Sequence, residues 1–127
     1  MRFNRFIATG VATACTALVA TISATTPAAA NTAYGCGYPQ VCFYKTQADW
    51  NARTWTAAYK DVTSYYQTLG SNSAGSFAVY NSRNDDGVSL KFSDGHTTCI
   101  HPNEYATGLP SMDGYVTGIK IMDSPYC

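Results

Sequence analysis

The sequence predicts an all-β fold, a small disulfide-bonded sandwich, and three observations carry that expectation. Short runs rich in β-branched and aromatic residues recur along the chain. Clusters of Asn, Asp, Ser and Gly separate them. Four cysteines, an even number of the kind that staples small exported domains, lie in the 97 residues from Asn31 to Cys127.

The first thirty residues stand apart from this pattern. Arg2 and Arg5 give a positive start, and Ile7 to about Ile22 is apolar but broken by threonines. That run falls short of the roughly 20 apolar residues a membrane span needs. Ala28-Ala29-Ala30 offers a small-residue cleavage site, so residues 1–30 read as a signal peptide. A lipoprotein reading would use Cys15 behind Ala12-Thr13-Ala14, but it leaves only a stub of apolar sequence before the modified cysteine. The mature chain is expected to begin near Asn31, to be secreted to the extracellular space, and to keep no membrane attachment after cleavage.

Residues 31–127 are enough for one core, and a single domain is expected. Without Arg2 and Arg5, six Lys or Arg face eight Asp or Glu, a formal charge of −2. Nucleic acid and anionic lipid would find no basic surface to hold. All ten tyrosines and both tryptophans fall in this part, where they can fill a small core and keep polar tips at its edges, or line a contact surface.

Cys36, Cys42, Cys99 and Cys127 allow three pairings on paper. Cys36 with Cys42 and Cys99 with Cys127 is the expected set, because the gap between the first two holds Gly37 and Pro39 and can turn back on itself. Cys127 otherwise has little to hold it. A zinc site would need two closely spaced cysteine pairs, and the sequence has one.

The expected strands, in order, are Val41 to Tyr44, Phe77 to Tyr80, Val88 to Phe92, Thr97 to Ile100 and Val116 to Ile121. Asn84-Asp85-Asp86-Gly87 and Ser93-Asp94-Gly95 end in Asp-Gly or lie on it, which favours tight reversals. The strands around Tyr80, Leu90 and Thr98 are therefore expected to form a three-stranded meander, with Val88, Leu90 and Phe92 on one side. Between Trp50 and Leu69 the signals conflict: Ala52, Trp55, Ala58, Tyr59 and Val62 hint at helical spacing, while Thr54, Thr56, Thr63 and Ser64 dilute it. A strand near Arg53 to Ala57 followed by an irregular segment is expected there.

Cys36-x5-Cys42 followed by Phe43-Tyr44, then Ala74-Gly75-Ser76-Phe77-Ala78, then a strand leading to Thr98-Cys99-Ile100, resembles the small secreted actinobacterial inhibitors of metalloproteinases. The resemblance spans most of Cys36 to about His101 and implies a βγ-crystallin-like Greek-key sandwich. It also implies an inhibitor of an extracellular zinc metalloproteinase, bound in a substrate-like manner through the loop Thr98, Cys99, Ile100 and His101. In that family the peptide bond after the cysteine is offered to the protease, which here would be the bond from Cys99 to Ile100. Ile100 would then fill the apolar pocket beyond the scissile bond, with the Cys99 carbonyl at the zinc. The Cys99 bridge to Cys127 would stand in for a second cysteine that the family places shortly after that bond, and would hold the segment extended. The partner is thus an extracellular protease, and the protein is expected to act as a monomer and not as an enzyme.

Crystallin-like domains often hold calcium, and two stretches approach the pattern. Asn72 to Phe77 has the spacing, and Asp85, Asp86 and Ser89 have better charges, but Leu90 replaces a final hydroxyl. Calcium takes six to eight oxygen ligands, more than either stretch supplies. Solvated turn residues are the simpler reading, no cofactor is expected, and a calcium-dependent or cell-wall-associated binding module is the alternative to the inhibitor. The fold's aromatic-to-glycine spacing of seven falls on Tyr44 and Asn51. Catalysis has thinner support: His96, His101 and Glu104 are near in sequence, with Arg83 and Lys91 the nearest cations, and no Gly-x-Ser-x-Gly turn exists.

Overall fold

The computed structural model describes residues 32–111 and 114–127. The expected signal peptide, Cys15 included, lies outside the described residues. Among the described residues ten strands run in chain order: β1 Thr32–Ala33, β2 Cys36–Gly37, β3 Val41–Tyr44, β4 Ala57–Tyr59, β5 Gln67–Thr68, β6 Ala78–Asn81, β7 Val88–Phe92, β8 Thr97–Ile100, β9 Tyr105–Ala106 and β10 Val116–Ile121. A five-residue helix, α1 Gln47–Asn51, and a 3-10 turn, Leu109–Ser111, accompany them.

β1 and β2 form a short hairpin, and the rest build two antiparallel four-stranded sheets ordered β4-β3-β6-β9 and β5-β10-β7-β8. Each half of the chain, β3 to β6 and β7 to β10, gives its third strand to the opposite sheet. This mutual exchange fits the Greek-key arrangement that the family resemblance implies.

Alternation along the strands explains the core. Val41 and Phe43 of β3, Val79 of β6, Val88, Leu90 and Phe92 of β7, Ile100 of β8 and Val116, Ile119 and Ile121 of β10 pack between the sheets. A register shift between Val116 and Gly118 inserts an extra residue, so Val116 and Ile119 both point inward. Cys42 and Tyr44 alternate to the opposite face of β3, where Ala78, Tyr80, Cys36, Tyr34 and Trp50 cover them. β3 is therefore buried on both faces, which accounts for its unbroken apolar sequence.

α1 supplies part of that cover. Thr46 accepts from the Asp49 N–H at 3.1 Å and the Asp49 carboxylate accepts from the Thr46 N–H at 3.1 Å, a reciprocal cap that starts the helix. Trp50 stacks on Tyr34 with ring centres 4.7 Å apart, and the Arg53 guanidinium lies 4.4 Å over the Tyr34 ring.

Both expected disulfides form, Cys36 to Cys42 and Cys99 to Cys127. Three expectations are corrected. Arg53 to Ala57 is not a strand: the chain forms α1, turns at Arg53 with φ 58°, and enters β4 only at Ala57. The left-handed position accordingly falls on Arg53, while Asn51 is helical. The meander is not formed either, because β6 and β7 belong to different sheets and residues 82–87 carry the chain across. The Asp94-Gly95 reversal does close β7 onto β8, with Gly95 at φ 94° donating to the Phe92 carbonyl at 2.9 Å.

Candidate functional site: the free edge of β8

β8 carries the segment singled out by sequence and lies at the end of its sheet, paired only with β7. Its register is Lys91 with Thr97, Leu90 with Thr98, Ser89 with Cys99, and Val88 with Ile100. The Phe92 N–H donates to the His96 carbonyl at 3.0 Å, which fixes the alternation of the ladder. Thr98 and Ile100 turn their main-chain groups toward β7, so Thr97 and Cys99 turn theirs away from the sheet. Among the described residues no hydrogen bond reaches those outward groups of Thr97 and Cys99. The Cys99 carbonyl therefore faces outward, as an inhibitory segment would require.

The Ile100 side chain does not. It is 2 % exposed and packs in the core between the sheets, because its parity on β8 is opposite to that of Cys99. The role of filling a protease pocket is thereby withdrawn from Ile100. Thr98 is half-buried on the same inward side, while Thr97 and His101 are exposed. Cys99 is half-buried and bridged to an exposed Cys127.

A buried polar corner grips the far side of the segment. Asn81, fully buried, donates through Nδ2 to the carbonyls of Asp86 at 2.8 Å, His101 at 3.2 Å and Ile100 at 3.3 Å, and accepts from the Arg83 N–H at 3.0 Å. Arg83 in turn donates to the Asp86 carboxylate and to the carbonyls of Pro39 at 3.0 Å and Lys60 at 3.2 Å. Sequence reasoning missed Asn81; the available signal was an amide at the end of an apolar strand, a residue that is buried only with partners.

The same corner bears on calcium. The Asp86 carboxylate already holds a guanidinium, the Ser89 hydroxyl shares a 2.6 Å hydrogen bond with the Tyr66 hydroxyl, and Asp85 is exposed. In the other stretch Lys45 Nζ donates to the Ser71 carbonyl at 3.0 Å and to that of Ala74, while Thr56 Oγ1 donates to that of Asn72 at 2.7 Å. Side-chain cations and hydroxyls thus occupy oxygens that a metal would need. Among the described residues, no group of three or more His, Cys, Asp or Glu comes together.

The histidines are separate. His96 stacks on Phe92 with centres 4.3 Å apart and contacts Asp94, whose carboxyl the His96 main-chain N–H holds below the usual carboxylate range. His101 Nδ1 lies 3.4 Å from Glu104 on the turn after β8. Lys91 and Lys120 both reach over the Tyr66 ring, with Nζ 5.8 and 4.8 Å from its centre.

No family model, curated protein or solved structure matches the chain.

Proposed function

We propose that the protein is a secreted binding protein that acts on an extracellular protease without catalysis, and that inhibition of a zinc metalloproteinase is the form the binding takes. The observation that supports it is the free main-chain edge of β8 at Thr97 and Cys99, paired on its other side with β7 and tethered through the Cys99 bridge. Proteins commonly bind extended segments by adding a strand at such an edge, with main-chain hydrogen bonds supplying affinity. Pre-ordering limits the entropy lost on docking. In this reading Thr97, Cys99 and His101 meet the partner, and Ile100 anchors the segment from within.

The test is to titrate the oxidised mature chain against secreted zinc and serine proteases, recording inhibition and cleavage at the bond from Cys99 to Ile100. Inhibition of zinc enzymes with that bond intact supports the proposal. Cleavage without inhibition, or no effect on any enzyme, refutes it. Thr97→Pro removes an outward N–H that the sheet does not use, a change edge strands tolerate. It should leave the fold in place and weaken inhibition about tenfold, the worth of one hydrogen bond of about 1.4 kcal/mol.

A further inference from the structure

The two disulfides differ in their access to solvent. Cys36 and Cys42 are both 0 % exposed and sit beneath Tyr44, Tyr80, Tyr34 and Trp50. Cys99 is half-buried and Cys127 exposed. The stretch that Cys127 secures is lightly held: Asp123, Pro125 and Tyr126 are exposed, and one main-chain hydrogen bond, from the Gly87 N–H to the Ser124 carbonyl at 2.7 Å, fastens it between Met122 and the bridge. Tyr126 meets His101 edge-on at 6.3 Å, against the turn that follows β8.

We propose that the Cys99 to Cys127 bridge is a redox latch on the β8 edge, opened by a dithiol reductant while Cys36 to Cys42 stays closed. The proposal rests on the β8 edge being the binding surface. A thiolate of the reductant attacks Sγ of the exposed residue Cys127, the bond to Cys99 Sγ breaks, and Cys99 leaves as a thiolate that takes up a proton. The second thiol of the reductant then displaces Cys127 from the mixed disulfide, so two electrons pass to the protein and the reductant becomes a cyclic disulfide. Residues 123–127 then have only the Ser124 bond, the packing of Pro125 and Tyr126 on Gly87 and the Tyr126 contact with His101 to hold them, and come away from Gly87 and His101. β8 keeps its ladder to β7 and its Ile100 anchor, so opening is local. The edge at Cys99 loses its outer tether, and a partner must then order it on binding.

The experiment titrates the oxidised mature chain with dithiothreitol, alkylates free thiols and maps them by mass spectrometry, with near-ultraviolet circular dichroism recorded alongside. Cys99 and Cys127 should be labelled at a dithiothreitol concentration about tenfold below that which labels Cys36 and Cys42, with the aromatic signal kept. Simultaneous or reversed labelling, or loss of the aromatic signal with the first bridge, overturns the latch. The double variant Cys99→Ser/Cys127→Ser fixes the open state: it should fold, show faster amide exchange at Thr98 and Ile100, whose N–H groups are in the ladder, and inhibit at least tenfold more weakly than the oxidised chain. A variant that does not fold, or that inhibits as well as the oxidised chain, also overturns it. Failure of the oxidised chain against every protease instead defeats the binding reading, and is told apart because the labelling order is measured without a partner.

Discussion

Ile100 and Cys99 are adjacent in sequence and opposite in fate, since a one-residue step along a strand exchanges core for surface. Ile100→Asp places a carboxylate between the sheets and should prevent folding, while Ile100→Val should cost about 1 kcal/mol in a denaturant titration. A stable Ile100→Asp variant would contradict the packing. Arg83 is a second test, because its side chain is 9 % exposed beside an Asp86 carboxylate that is 8 % exposed. Arg83→Ala leaves that carboxylate unpaired and should lower stability by about 3 to 5 kcal/mol. Tyr44 tests pH. Burial first of all pushes its phenol up from 10.0 to about 12, and its hydroxyl donates to the Tyr34 carbonyl. Below pH 10.0 the phenol is protonated in both states and its contribution is complete; between there and about 12 the unfolded chain ionises first, and the contribution is lost. Tyr44→Phe should therefore be less stable than the parent at pH 8 by about 1 kcal/mol, with the gap in urea midpoint closing as the pH rises toward 12.

At the scale of elements, five strands were legible because each is a short β-branched or aromatic run between turn residues, and β7, β8 and β10 have the expected bounds. Cys36 to Cys42 was legible from local spacing, and Cys99 to Cys127 followed as the pair that secures the last residue. The segment from Thr46 to Ala57 was not, since α1 depends on a cap of two side chains and on Trp50 finding Tyr34, a long-range partner no local pattern announces. Nor was the corner at residues 82–87, where Asn81, Arg83 and Asp86 bind one another and turn an apparent hairpin into a passage between sheets. The site was half legible: an outward Cys99 carbonyl was implied by the family resemblance, but which residues of β8 faced the core was settled by the opposite sheet. Gly35 joins the β1–β2 hairpin to the turn after α1, at φ 72° and with the Arg53 carbonyl standing where a Cβ would be. Gly35→Ala should cost more than about 2 kcal/mol, through strain and a backbone clash, measured as a fall in the denaturant midpoint.

For the whole molecule, side-chain cations and hydroxyls bond oxygens in both turns that approach a calcium pattern. The thermal midpoint should accordingly be the same in millimolar calcium as in chelator; a rise with calcium would favour the calcium-binding alternative. The exchange of β5 and β9 between the two sheets ties the halves together in addition to their shared core. A chain nicked between Asn84 and Asp85 would yield two fragments, each carrying a piece of the other's architecture. Separately they would be incomplete, and mixed they should reassemble as a complementary pair, so that the protein melts as one unit although its chain is written in two.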